Sequence, residues 1–543
     1  MGTFCLVLHT HLPWLARHGT WPVGEEWLHQ AWSHSYIPVV DVLERLAAEG
    51  RRDLLTLGVT PVLAAQLDDP YCLDRQHAWL GGWRLRAEEL AGRPEANLRD
   101  LAASEFRAAS RALDQFGSRW ARGASPVVRA LADCGAVVLL GGPATHTITP
   151  LLDRRVADFA LRSGLDDHAV RFGRRPVGIW APECAYAPGL EGLYASAGVG
   201  HVVVDGPTLL HVGRSTADAW TLGDSDVVAV GRDLDVAYRV WSPRRGYPGG
   251  PWYRDFHTFD HPSGFKPARV TSTSTSPEHK APYEPSRALA AVAADAEDFV
   301  EHVRRRLLRH EAERGRPGLV MVAYDTELFG HWWREGPEFL ERILRLLPTA
   351  GVRVTTLAGA IEAGHVGGRA DPATGSWGAG KELAVWEGAA VSDLVAAGRD
   401  VQGRLLALVD DAGEMRARRP DLDAAATQAL LAMASDWAFM VSHDSTPDYA
   451  RRRAFGHLQA FADIEAAVRS GPGSGVGGAG PVAGDGGSGG GRAGGGSGGG
   501  RAGGGSGGGR ADGGDPTSAD RCADLERPFP HLDARLLGSR SPR

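Results

Sequence analysis

Short apolar runs recur along most of the chain, each closing on a small or polar cluster and separated from the next by helical patterns. FCLVL spans 4–8, LLTLGV 54–59, VVLLGG 137–142, PVGIWAPE 176–183, HVVVDG 201–206, LVMVAYD 319–325 and VRVTTL 352–357. Strands apolar on both faces belong to parallel sheets covered by helices, so this rhythm predicts βα units with their chemistry at the C-terminal strand ends. The intervening segments agree. YIPVVDVLERLAAEG at 36–50 has a helical period and ends in Gly50, and the long pattern that follows Glu284 starts on Pro285 and Ser286. The seven runs predict an α/β fold, a distorted or incomplete barrel.

Other stretches break the rhythm. The segment 84–133 is charged and helical, and reads as a small helical insertion in a catalytic domain at 1–375. The segment 376–470 is largely helical and reads as a bundle that closes against the barrel. Between them, 233–283 is a long excursion rich in Pro, Gly, Tyr and Trp, the composition of a functional loop. From 471 to 515 the chain is nearly pure Gly and Ser around the period RAGGGSGGG, so a disordered linker is expected, with 516–543 packing back as a tail.

Charge and cysteine content exclude several classes. A net charge of -7 without a basic stripe argues against a nucleic-acid partner. Five cysteines without CxxC spacing argue against a disulfide framework or a cysteine zinc site. No window reaches the length of a membrane span, and MGTFCLVLHTHLPW has neither the basic n-region nor the long apolar core of a signal peptide. A cytoplasmic, monomeric protein without cofactor or metal is expected.

The strand-end clusters carry the candidate chemistry. Glu183 closes GIWAPE, and Asp325 with Glu327 sits in AYDTELFGHWW at 323–333. Two carboxylates converging on one barrel mouth suit glycosidic chemistry, one as anion at the anomeric carbon and one as proton donor to the leaving oxygen. His9 and His11 alternate in HTHLP, and His146 follows another strand in GPATHTITP. Three such histidines could ring a zinc ion, as in a carbohydrate deacetylase, or bond sugar hydroxyls; no dedicated zinc spacing is present, and the sugar reading is preferred. Trp21 and Trp27 in GTWPVGEEW, Trp377 and Trp386 in GSWGAGKELAVW, and Trp437 in SDWAF stand beside glycines or charges, as platforms for pyranose rings do.

In this order, HTHLPW, HGTWPVGEEW, LGVTPVL, GPATH, GIWAPECAY, AYDTELFGHWW, SDWAF and RPFPHLDARLL resemble glycoside hydrolase family 57 and, within it, the 1,4-alpha-glucan branching enzymes. The resemblance covers nearly the whole chain. It implies a (β/α)7 barrel with an inserted helical domain and a C-terminal helical domain. It further implies Glu183 as nucleophile, Asp325 as general acid/base, and Tyr247, in WSPRRGYPGGPWYRDF, as a loop tip that favours transfer over hydrolysis. Trp180, His331, Trp332, Trp333 and Asp436 join the histidines and tryptophans above as candidate substrate-binding residues, and α-1,4-glucan chains become the expected donor and acceptor. An amylase or 4-alpha-glucanotransferase of the same family, a metal-dependent deacetylase and a non-catalytic glucan-binding protein remain as alternatives.

Overall fold

The first apolar run forms the strand from which the barrel is built. In the computed structural model, which describes residues 2–21, 23–242, 246–272, 274–470 and 528–538, β1 (Thr3–Thr10) is buried along its whole length. Its side chains alternate between two apolar environments. Cys5 and Val7 join Met321, Ala323, Val203 and Val230 inside the barrel, while Phe4, Leu6 and Leu8 pack outward against the helices. A strand sandwiched in this way has no polar face to show, which is why its sequence is a continuous apolar run.

The remaining strands are β2 (Leu55–Val59), β3 (Val137–Gly141), β4 (Gly178–Trp180), β5 (His201–Val204), β6 (Ala219–Leu222), β7 (Val228–Gly231), β8 (Leu319–Asp325), β9 (Arg353–Val354) and β10 (Val366–Ala370). The sheet order is β10-β6-β7-β5-β4-β3-β2-β1-β8. From β7 to β8 along that path every pairing is parallel. These strands, β1 to β5 with β7 and β8, make a distorted (β/α)7 barrel. Its seam lies between β7 and β8, because β6 pairs antiparallel with the edge of β7. There the ring is joined by Leu319 N donating to the Ala217 carbonyl at 2.9 Å and Asp233 N donating to the Met321 carbonyl at 2.7 Å.

The strands of the ring are not the seven runs read from the sequence. VRVTTL yields only the two-residue β9, which meets β1 at Thr3 and Phe4 below the β1–β2 pairing. β7 takes its place in the ring. The short β6 and β10 carry partly exposed positions and a Gly-rich stretch, so no continuous apolar run marks them, whereas β7 grows from the apolar VVAV at 227–230, which is not among the seven runs.

Helices Pro70–Ala91 and Ala96–Gln115 pack as an antiparallel pair between β2 and β3, earlier in the chain than position 84, with the Asp69 carboxylate capping the first by accepting from Tyr71 N and Cys72 N. Past the barrel come helices Ser392–Asp411, Pro420–Ala432, Ser435–Ser442 and Pro447–Ser470. Of the tail, 528–538 is described: Ala534 N donates to Asp423 Oδ1 at 2.7 Å, and Arg155 Nη2 donates to the Leu537 carbonyl at 2.8 Å. The Gly-rich tract at 471–515 and Cys522 lie outside the described residues. Among those residues no helix is long and apolar enough to cross a membrane.

Candidate active site

Strand parity carries the first two polar groups to the barrel mouth. Inward-facing Cys5 and Val7 continue to His9, and inward-facing Met321 and Ala323 continue to Asp325; the register sets His9 opposite Asp325. His146 follows β3 and Glu183 follows β4. Both turn the chain sharply, with φ 59° at His146, 59° at Glu183 and 51° at Cys184. Left-handed backbone at such non-glycine residues costs roughly 1–3 kcal/mol each and persists where the surrounding structure over-determines it, as active sites do.

The Glu183 carboxylate is held at both oxygens. Trp377 Nε1 donates to Oε2 at 2.6 Å, and Ser435 Oγ donates to Oε1 at 3.0 Å. Trp377 N also donates to the Glu183 carbonyl at 2.9 Å, and the Arg232 guanidinium, itself paired with Asp205 at 2.7 Å, lies over the Trp377 ring.

The Ser435 bond fixes a chain of tautomers. With its proton given to Glu183, Ser435 Oγ must accept from His146 Nδ1, 2.8 Å away. Burial holds both His9 and His146 neutral, so each carries one ring proton. His146 Nε2 is then an acceptor, and His9 Nε2 donates to it at 3.0 Å. The remaining His9 Nδ1 is left bare, and it is indeed a buried nitrogen without a partner among the described residues. All three donors therefore point one way, from His9 through His146 and Ser435 to Glu183.

Asp325 contrasts with this. Among the described residues its carboxyl has no hydrogen-bond partner. Burial, then the nearby Glu183 charge, pushes it up to about 7, and burial pushes Glu183 up to about 7 as well. Two hydrogen bonds favour the anion at Glu183 and none does at Asp325, so the proton the pair keeps at neutral pH resides on Asp325. Glu327 is a supporting group: its Oε1 accepts from Tyr36 Oη at 2.5 Å and His11 N at 3.2 Å, and burial followed by the Asp325 charge raises it to about 8.

The sequence profile described as "Glycosyl hydrolase family 57" matches residues 5–369, and the profile "1,4-alpha-glucan branching enzyme, C-terminal" matches 399–474. The chain belongs to glycosyl hydrolase family 57. It is 52% identical over 492 residues to a probable 1,4-alpha-glucan branching enzyme of Mycobacterium tuberculosis, covering 87% of this chain and 93% of that protein. Identity to a 1,4-alpha-glucan branching enzyme of Thermococcus kodakarensis is 32%, over 85% of this chain and 73% of that one. In three dimensions it is similar to the family 57 branching enzyme of Pyrococcus horikoshii, with a TM-score of 0.81 and 31% identity, covering 86% of this chain and 91% of the other.

Within this family 57 site the remaining candidates fall into groups. His11 is at the mouth, bonded through Nε2 to Asp436 at 3.1 Å and through Nδ1 to Thr60 Oγ1 at 2.9 Å. His11, His146 and Asp436 bring potential ligand atoms within 4.8 Å of one another. Both nitrogens of His11 and of His146 are already engaged in hydrogen bonds, so a metal there would have to break them. His9 is tied to His146 and is not part of that group. Trp377 touches Glu183, Trp27 is half-buried, and Trp21 is 61% exposed.

Several expectations need correction. Trp180 is 2% exposed and lies beneath the site, stacked on His9 at 4.4 Å and edge-on to Trp377 at 4.9 Å. Trp386 is buried with Ile148, Leu383 and Val385. Trp437 is buried as well, donating Nε1 to the Leu431 carbonyl at 2.8 Å under the Arg453 guanidinium. None of the three offers a free face to a ligand: neighbouring helices cover Trp386 and Trp437, which stand beside a charge in sequence, and the rings of His9 and Trp377 cover Trp180. Trp333 is likewise core, against Tyr253 and Phe339. His331 and Trp332 line a second cavity rather than the carboxylate pair. Tyr247 does not reach the carboxylates: its hydroxyl donates to Asp298 Oδ2 at 2.5 Å on helix Pro285–Arg314, and its ring packs on Phe339. Ser435 was missed, since a serine gives no sequence signal apart from its place before Asp436 in SDWAF.

Proposed function

We propose that this chain is a 1,4-alpha-glucan branching enzyme, a retaining transglycosylase that cuts an α-1,4 chain and moves it to a glucan 6-hydroxyl. The observation that carries the reading is the unequal pair: a doubly hydrogen-bonded Glu183 and a partly buried Asp325 without a hydrogen bond among the described residues, at one barrel mouth. Glu183 attacks C1 of the donor glucose as the C1–O4 bond breaks, and Asp325 gives its proton to the departing O4. The acceptor's O6–H then loses its proton to Asp325 while O6 attacks C1, and Glu183 leaves as the carboxylate it began as. Trp377 and Ser435 hold the Glu183 oxygens for in-line attack and steady the returning negative charge.

The branching assignment over a hydrolase is supported by the match of 399–474 to the branching-enzyme C-terminal profile, a region whose Ser435 and Asp436 bond directly to Glu183 and His11. A cytoplasmic setting fits the free thiols of Cys5, Cys134 and Cys184. The test is incubation with amylose, followed by debranching and chain-length measurement. New α-1,6 linkages are expected. Reducing sugar without branches would mark a hydrolase, and redistributed α-1,4 lengths alone would mark a 4-alpha-glucanotransferase; either overturns the reading.

A further inference from the structure

A second cavity, of about 260 Å³, lies between the helices that follow β1 and β2, the loop strands near Arg254 and Lys266, and the Gly330–His331 turn after β8. Its walls are aromatic, with Trp21, Trp79, Trp83, Phe256, Phe259 and Trp332 among them. Its charges do not cancel. Arg254 and Arg334 share one carboxylate, Glu105, at 2.6 and 3.6 Å, and Asp255 is taken by Lys280 at 2.7 Å. Glu26 accepts from Trp79 Nε1 at 2.9 Å and Gln30 Nε2 at 2.8 Å. That leaves Lys266 and Arg86 with no carboxylate at ion-pair distance among the described residues. Lys266 Nζ is instead held 3.4 Å over the Phe256 ring, and Arg86 lies over Trp79. Beside them His331, 9% exposed, has a buried Nδ1 without a partner among the described residues.

An ammonium half-removed from water over a ring gains something from the ring face but much less than a carboxylate would give. Burial accordingly lowers the Lys266 amine to about 7. An incoming anion would supply the missing charge, and flat aromatic walls suit the CH faces of a pyranose ring. We propose that this cavity is a second carbohydrate site, separate from Glu183 and Asp325, that binds a hexose bearing an anionic group, a phosphate ester or a carboxylate. The hexose half of the proposal rests on the glucan-transfer reading; the anionic half rests on Lys266, Arg86 and His331 alone.

The experiment is calorimetric titration of the full-length protein with glucose 6-phosphate, glucuronate, glucose and inorganic phosphate, alongside the amylose branching assay. Glucose 6-phosphate or glucuronate is expected to bind at least tenfold more tightly than both glucose and phosphate, and the better of the two identifies the anion. Lys266→Met is expected to weaken that binding at least tenfold while leaving branching of amylose unchanged, and Lys266→Arg to restore most of it. Glucose bound as tightly as its phosphate, phosphate bound as tightly as the sugar ester, or binding indifferent to Lys266→Met each overturns the proposal. A wild-type protein that binds the ester but forms no branches would overturn the enzymatic reading and leave the site standing.

Discussion

Ser435 Oγ donates to Glu183 Oε1 at 3.0 Å although 252 positions separate them in the chain. Through this bond the C-terminal helices reach into the barrel mouth and stabilise the anionic form of Glu183. Ser435→Ala removes a hydrogen bond to a charged acceptor, worth about 1.5–3 kcal/mol. At about 1.4 kcal/mol per tenfold, kcat/KM should fall by roughly one to two orders of magnitude. The acid limb of the pH profile should also move to higher pH, and Ser435→Thr should restore both. A profile and rate unchanged in Ser435→Ala would remove the hydroxyl from the catalytic arrangement.

Glu183→Gln and Asp325→Asn should each abolish nearly all branching while circular dichroism stays native. Loss of a general acid/base costs about 10²–10⁴-fold, and loss of the nucleophile should cost at least as much. Substantial residual activity in either variant, measured by branch formation on amylose, would break the assignment of roles.

Activity should be bell-shaped in pH and centred near 7, since catalysis needs one proton on a pair whose members both lie at about 7. Stability should run the other way from an ordinary surface carboxylate. Both groups are raised in the folded protein from unfolded values near about 4, so the folded state holds more protons across that window. Their contribution to stability is therefore present at low pH and is lost as pH rises through about 7. At pH 8, Glu183→Gln and Asp325→Asn should melt at or above the wild-type temperature. A lower Tm in both would show that the ionised carboxylates stabilise the fold.

Tyr247 is anchored to Asp298 by its hydroxyl, with Arg239 over its ring. A role at the carboxylates requires that anchor to open. Asp298→Asn weakens the anchor without touching the site, and should change the ratio of branching to hydrolysis on amylose; Tyr247→Ala should lower it. If both ratios match the wild type, Tyr247 serves only to fasten the loop to helix Pro285–Arg314.

What could be read from the chain alone was local in character. The apolar runs marked β1 to β5 and β8 because a strand covered on both faces has no polar alternation, and the polar residues that end those runs placed Glu183, Asp325, His9 and His146 at one mouth. The order of the motifs did the rest, and the family 57 membership agrees with it. Other features depended on which surfaces meet. β7 joined the ring and VRVTTL did not, because pairing along a sheet edge is decided by neighbours remote in sequence. Trp386 and Trp437 were buried by helices that the charges beside them in sequence gave no hint of, and Trp180 by His9 and Trp377 from remote segments. The direction of the hydrogen bonds from His9 to Glu183, and with it the choice of which carboxyl keeps the proton, required atoms from four separate segments at hydrogen-bond distance. Side-chain chemistry and periodicity are properties of short stretches and survive in a sequence; burial, charge state and tautomer are set by the three-dimensional surroundings, and only the tertiary structure decided them.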